Sequence, residues 1–392
     1  MTTPALARPR AAGRLLSLLP PARLSRPEGP PLAEATGPAL ERALARSAQA
    51  EWNLAHQGAR VLLARDHASG WLVRQAGRHL VALGLPLGPA DLPALAATAS
   101  ASRLRPILYK CDGRSALAAR GQGWSVLRIG HEAVLDLATW TTARSACRQL
   151  RRKLRAARSA GIRVTLAAGL PLDRMGRVQG EWLARHGRER GFSMGRFDPA
   201  LLRRQRVLLA WSGESLVAFA SFHANREEWT LDLMRQGDEV PDGTMHLLVA
   251  EAASLALASG AGRLSLAAIP DPLGALPRLR RLAPRPCGLA QFKKAFGPRL
   301  SPRYAAAPDR ALLMSGLLTV ARAIHGPVTL PGPRPVGRPW NGPTSALLGI
   351  WPGLRNFAFE PWRVPCDARA RETRPAAISS RWRLALRHRP DP

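Results

Sequence analysis

Acidic residues are scarce in this chain: 27 aspartates and glutamates stand against 58 lysines and arginines, a formal net charge of +31 over 392 residues. Lysine is scarce as well. Only Lys110, Lys153, Lys293 and Lys294 occur, so the positive charge is almost entirely arginine. Arginine and alanine richness is also what GC-rich coding produces, but an imbalance of this size draws nucleic acid, anionic lipid or both, with an effect that weakens in salt. Cysteine is limited to Cys111, Cys147, Cys287 and Cys366, none close together, and the nine histidines are scattered. That spacing argues against a disulfide framework or a structural metal and fits a reducing compartment. No run of about 18 apolar residues exists, which argues against a membrane-spanning helix; the longest candidate, 311–321, is short and runs into Arg322. The N-terminus is broken by Pro20 and Pro21 and lacks a cleavage site, so it reads as a tail, not a signal peptide. GxSxG, P-loop, dinucleotide and HExxH signatures are missing. The segment Arg74-Gln75-Ala76-Gly77-Arg78-His79 approaches an acetyl-CoA loop but lacks its final small residue, which counts against a simple acetyl-CoA enzyme.

Apolar residues make up 46% of the chain, enough for a sizeable core, and the length suits two ordinary domains or one double domain with tails. Residues 1–38 hold eight prolines and read as a flexible leader. A helical pattern follows at 38–54 through Leu40, Ala43, Leu44 and Trp52. Strands are expected at 61–64, 70–75, 79–83, 105–109 and 125–129, with a helix at 90–101. After Gly161 a second unit begins with a helix at 172–187. Strands at 207–211 and 215–222 flank Ser212-Gly213-Glu214, a hairpin signal. A strand at 228–234, a helix at 243–259 stopped by Gly260, and a strand at 264–268 complete it. Hairpins mixed with helices predict an α+β fold with a mixed sheet. The predicted units are 39–160 and 161–325, followed by a Pro-rich linker and tail, 326–392, with six prolines in 326–343. Trp351, Phe357, Phe359, Trp362 and Trp382 lie among arginines in that tail, a mixture that suits a membrane interface or packing on the main body.

The clearest amphipathic segment is 141–160. Ala143, Ala146, Leu150, Leu154 and Ala157 recur at helical spacing, while Arg144, Arg148, Arg151, Arg152, Lys153, Arg155 and Arg158 occupy the rest. No acid occurs between Asp136 and Asp173. This is either a solvated face in an arginine-rich chain or an electrostatic footprint for tRNA or lipid headgroups. Glu132 and Asp136 read as structural caps or partners of this helix.

Five blocks, in order, resemble the cytosolic catalytic domain of the lysyl- and alanyl-phosphatidylglycerol synthases, the multiple peptide resistance factors. They are 77–88 (GRHLVALGLPLG), 130–137 (GHEAVLDL), 192–197 (FSMGRF), 232–235 (DLMR) with Asp242-Gly243, and 288–304 from Gly288-Leu289 through Phe292-Lys293 and Pro298 to Pro302-Arg303-Tyr304. The likeness spans about residues 50–320. It departs at Leu85, where the family often has an acid, at Leu300, which replaces a tryptophan, and at Ala295, which replaces a lysine. The family's membrane-spanning half has no counterpart among these residues.

The resemblance implies two tandem acetyltransferase-like (GNAT) units. It also implies transfer of an amino acid, lysine or alanine, from aminoacyl-tRNA as co-substrate to phosphatidylglycerol, with no further cofactor. The expected location is the inner face of a bacterial membrane, reached directly or through a membrane-protein partner. Peptidoglycan-precursor aminoacylation and a non-enzymatic basic adaptor are the alternatives. Oligomeric state is not legible.

Asp232 and Arg235 are the candidate catalytic residues. Alternation in the strand sets Asp232 opposite Leu231 and Leu233, and Arg235 is its nearest candidate partner, either as a structural ion pair or as a substrate-orienting pair. Lys293, Lys294, Arg299, Arg303 and Tyr304 form a second cluster, a solvated loop or a contact for a tRNA 3′ end or lipid phosphate. Ser193 and Asp242 join the candidate substrate-binding residues. Ser193 lies in a tight turn or a substrate wall. Arg148, Arg151, Arg152, Lys153 and Arg155 are the candidate tRNA or lipid contacts.

Overall fold

The computed structural model describes residues 30–271 and 288–326. The strands are β1 (Ala33–Glu34), β2 (Arg60–Leu63), β3 (Gly70–Ala76), β4 (His79–Leu87), β5 (Arg105–Cys111), β6 (Ser125–Asp136), β7 (Ile162–Leu166), β8 (Arg206–Ser212), β9 (Ser215–Ala224), β10 (Glu228–Gln236), β11 (Arg263–Pro270) and β12 (Arg299–Ala307). The α-helices are α1 (Gly37–Arg46), α2 (Leu92–Ala101), α3 (Gly113–Gly121), α4 (Arg148–Ser159), α5 (Leu172–His186), α6 (Pro199–Leu202), α7 (Thr244–Ala258), α8 (Gly288–Ala295) and α9 (Arg310–His325). A 3-10 segment, Ala50–Gln57, precedes β2.

Local chemistry explains the boundaries. Asp91, Asp112, Asp198 and Asp309 each accept a backbone N–H at the start of a helix, relieving unpaired donors of the first turn. Gly213 turns the β8–β9 hairpin at φ 56°, a conformation without steric cost only for glycine.

Two halves repeat one order. In β2-β3-β4-α2-β5 and again in β8-β9-β10-α7-β11, an antiparallel meander is followed by a helical crossover to a parallel strand. The halves then exchange their last strands. β12 lies antiparallel against β5, and β6 lies antiparallel against β11, while β6 and β12 pair with each other at the centre. The result is one mixed twelve-stranded sheet, ordered β1-β2-β3-β4-β5-β12-β6-β11-β10-β9-β8-β7.

The tandem α+β arrangement is therefore present, but a cut near residue 160 does not separate its cores. Leu150, Leu154 and Ala157 of α4 pack with α7 and β9–β11 of the second half. Ala305, Ala307, Leu313, Val320 and Ile324 of β12 and α9 pack into the first half. Residues 30–38 also belong to the fold, not to a leader. Leu32 is buried and donates its N–H to the Thr98 hydroxyl, and Ala33 and Glu34 pair with Leu63 and Leu62. The basic helix starts at Arg148, later than its periodicity suggested. Ala143 and Ala146 are exposed, and Cys147 completes the buried stripe. The Pro-rich linker and the aromatic tail lie outside the described residues.

Because β12 is central, deleting residues 299–326 is expected to abolish cooperative thermal unfolding followed by circular dichroism. A truncated chain that keeps the full-length transition would contradict the strand exchange.

Candidate active site

Four irregularities cross the middle of the sheet. Lys110 in β5 has φ 63° and is unopposed between the pairs Tyr109–Ala305 and Cys111–Tyr304. Ile129 is unopposed in β6 beside the Arg303–Tyr304 step. In β11 the register slips between Ser265 and Ala268, and Ala267 has φ 61°. In β10 it slips at Asp232, between Leu231 and Leu233. An extra residue reverses the alternation of side chains beyond it.

The reversal at Asp232 corrects the simple alternation. Leu231 packs towards α7, while Leu233 packs with Phe219 and Met175 on the opposite face. Asp232, Leu233 and Arg235 thus share one face, which strict alternation would forbid. Lys110, Glu132, Ser265 and Arg303 join them on that face, where they meet one another or residues of the 3-10 segment.

The 3-10 segment lies over this row. Trp52 and Leu54 bury in the first half's core. Glu51 then meets Lys110 at 3.2 Å, the Ala50 N–H donates to Glu228, and Gln57 donates to Asp232 at 3.4 Å. From the other side comes the Phe192–Phe197 loop. Phe192, at φ 62°, packs into the first core, and Arg74 donates to its carbonyl. A methyl group at Gly195 would overlap the Asp232 carboxylate, so the loop's glycine is a requirement of space.

Asp232 does not pair with Arg235 as expected. Its side chain is only 7% exposed, and its Oδ2 accepts from Gln205 at 2.7 Å and from Gln57. His223 Nε2 lies 3.6 Å from the same oxygen. Burial would raise this carboxyl, but the charge and hydrogen bond of His223, then Gln205 and Gln57, outweigh it and hold the group below the usual carboxylate range. Arg235 instead donates Nε to Gln179 at 2.6 Å, Nη2 to Glu189 at 2.7 Å and Nη1 to the Met234 carbonyl, with Trp182 stacked on it at 3.8 Å. Burial lowers its pKa. Glu189 also accepts the Phe197 N–H, so Arg235 fixes the end of the loop that covers Asp232.

The second cluster divides. Lys293 is buried and donates to the Ala268 carbonyl; Arg303 pairs with Glu132, which also accepts from Ser265. Glu132 therefore serves Arg303 and not the basic helix. Lys294 and Arg299 are exposed, and Tyr304 packs on the α2/α3 core. The Ser193 hydroxyl is buried with no hydrogen-bond partner among the described residues.

On α4, Lys153 is held by Asp242 at 2.6 Å, and Arg151 donates to the Thr142 and Arg144 carbonyls, whereas Arg148, Arg152 and Arg155 point outward. The Asp242-Gly243 step is needed there, because a side chain at Gly243 (φ 89°) would overlap the Lys153 carbonyl. A shallow cavity of about 170 Å³ beside Trp140, Arg144 and Arg299 is separate from Asp232.

His223, Gln205, Gln57 and Glu189 were not legible beforehand. Lys110 had a signal, being a lysine inside the apolar strand Pro106-Ile107-Leu108-Tyr109.

The site is thus a buried carboxylate, Asp232, covered by a glycine-containing loop on a duplicated mixed sheet. The family model for phosphatidylglycerol lysyltransferase, C-terminal, matches residues 40–307, and the chain belongs to that family. It is 26% identical over 201 residues to the phosphatidylglycerol lysyltransferase of Bacillus subtilis, a match covering 45% of this chain and 22% of that relative. The crystal structure named for the C-terminal domain of a lysylphosphatidylglycerol synthetase from Agrobacterium fabrum is 25% identical, with a TM-score of 0.65, covering 73% of this chain and 97% of that one. L-PGS from Bacillus licheniformis shares the fold at 24% identity and TM-score 0.63, covering 74% of this chain and 98% of that one.

Gly195→Ala is expected to lower stability by about 1–3 kcal/mol through overpacking against Asp232. Denaturant titration beside Gly169→Ala, where added Cβ meets nothing within 4 Å, checks it; equal midpoints would refute the close approach.

Proposed function

We propose that the chain transfers an amino acid, lysine or alanine, from aminoacyl-tRNA to phosphatidylglycerol at the Asp232 face of the sheet. The observation that carries this reading is the buried Asp232 carboxylate against the Gly195 loop in a chain of this family. A carboxylate held below its ordinary range is a weak base at neutral pH and a good counter-ion. Asp232 therefore anchors the α-ammonium group of the aminoacyl ester through Oδ1, the oxygen without a hydrogen bond among the described residues. Oδ1 lies against Gly195, so binding is coupled to movement of the 192–197 loop.

The lipid hydroxyl oxygen attacks the ester carbonyl, the ester bond to the ribose breaks, and the hydroxyl proton ends on the ribose oxygen. One ester replaces another, so positioning supplies much of the acceleration, on the order of 7–11 kcal/mol at best. Arg235 keeps the loop in place. Lys294 and Arg299 meet phosphate groups, and the outward arginines of α4 meet the tRNA backbone or anionic headgroups. Each such contact at an anionic membrane contributes about 1 kcal/mol.

Purified protein, charged tRNA and phosphatidylglycerol vesicles should yield aminoacylated lipid on chromatography; no such lipid with lysine, alanine or any other common amino acid would refute the proposal. Asp232→Ala should lower the rate at least about 100-fold, in line with loss of a buried charged contact, and N-acetylated aminoacyl-tRNA should be a poor donor. Efficient use of the acetylated donor would exclude the ammonium role. Arg148→Glu, Arg152→Glu and Arg155→Glu combined should weaken tRNA binding and flatten its log–log salt dependence by about one per arginine; an unchanged slope would place the tRNA elsewhere.

A further inference from the structure

His223 has no place in the five family-like blocks, yet it is 4% exposed and adjoins the carboxylate on which the reading rests. It stands on β9 with its ring between two glutamines. Gln205 Nε2 lies 3.4 Å from Nδ1 and donates to Asp232 Oδ2 at 2.7 Å. Gln57 Nε2 lies 3.4 Å from both His223 Nε2 and Asp232 Oδ2. A glutamine Nε2 has two hydrogens. With one of Gln205's on Oδ2, the other faces His223 Nδ1. The other ring nitrogen, Nε2, lies 3.6 Å from Oδ2. Three nitrogens from three separate segments thus surround a single carboxylate oxygen.

We propose that His223 is a positioning residue for Asp232: its Nε2–H, with Gln57 and Gln205, binds Oδ2 and turns Oδ1 towards the substrate side of the Gly195 loop. The proposal rests on the ammonium-anchoring reading for its catalytic consequence, but its electrostatic part stands without it. Removing the imidazole leaves a carboxylate that is still buried and has lost the influence that most opposes burial. Its pKa must then rise. Since the ionised form binds the ammonium group, donor binding fails at a higher pH than in the parent protein.

Other charged groups face this pair. His56 sits on the 3-10 segment, Arg204 precedes β8, Arg235 and Glu189 lie beyond Asp232, and Arg74, Arg196 and Asp198 flank the loop. All remain in a His223 variant, so a change on substitution reports the imidazole itself. Glutamine tests the donor, because its Nε2 reaches the position of the imidazole Nε2; leucine and alanine cannot donate.

The test uses the full chain as His223→Ala, His223→Leu and His223→Gln, with thermal unfolding to confirm folding. Carboxyl carbon NMR of aspartate-labelled protein follows the Asp232 titration without any substrate, assigned by its loss in Asp232→Asn. The Asp232 midpoint should rise by roughly one pH unit or more in the alanine and leucine variants and by clearly less in the glutamine variant. In the vesicle assay the acid limb of kcat/KM should move by the same amount, through KM for charged tRNA more than through kcat, with glutamine restoring it. An unmoved Asp232 titration in folded His223→Ala and His223→Leu overturns the proposal, as does a uniform activity loss at every pH that glutamine fails to rescue. A parent protein that makes no aminoacylated lipid while the titration moves as expected overturns the functional reading and upholds the His223–Asp232 coupling.

Discussion

The site depends on alternation broken at bulges on four of the five strands that span the middle of the sheet, β5, β6, β11 and β10. A strand buried on both faces must present apolar groups on each side, as β9 does with Phe219 on one face and Phe222 on the other. In such an interior a bulge changes which side chains share a face, and the slip at Asp232 is what sets Asp232 beside Leu233 and Arg235. Here the bulges at Lys110, Ile129, Ala267 and Asp232 lie on β5, β6, β11 and β10, the strands around the exchange of β6 and β12. Duplication, strand exchange and the candidate site thus meet in the middle of the sheet.

Charge is arranged differently inside and outside. Along the buried row each charge has a partner: Lys110 with Glu51, Arg303 with Glu132, Arg235 with Glu189, Glu228 with Arg263, and Asp232 with His223. Buried pairs contribute little net stability because desolvation offsets their attraction, and breaking one partner is costly. Their value lies in orientation. The 3-10 segment and the 192–197 loop are held to the row by these groups and by the Ala50 and Phe197 N–H donors. On α4, by contrast, Arg148, Arg152 and Arg155 remain outward without an ion pair among the described residues, as suits a long-range field for polyanions.

Much of the architecture was legible in the sequence because it rests on local periodicity. The β8–β9 hairpin, α5, α7 and the β3–β5 strands fall close to their expected places. The domain cut near 160 failed because β12 and α9 cross back to the first half, a long-range pairing with no local trace. Asp232 was legible through its motif, but its partners were not. Gln57, Gln205 and His223 come from separate segments, and the bulge that reverses alternation leaves no mark in a pattern as apolar as Leu231-Asp232-Leu233-Met234. Nor could sequence assign Arg235 to Glu189, since the contact depends on the loop after α5 folding back over β10.

The central claim is that Asp232 receives the amino group of the donor. A crystal structure with a 3′-aminoacylamino-3′-deoxyadenosine, a stable analogue of the charged tRNA end, tests it most directly. The account predicts the α-amino nitrogen within hydrogen-bonding reach of Asp232 Oδ1, about 2.7–3.2 Å, with the 192–197 loop displaced and His223 still on Oδ2. An analogue bound with its amino group elsewhere, for instance in the shallow cavity beside Trp140, Arg144 and Arg299, and with Asp232 still covered, would contradict it.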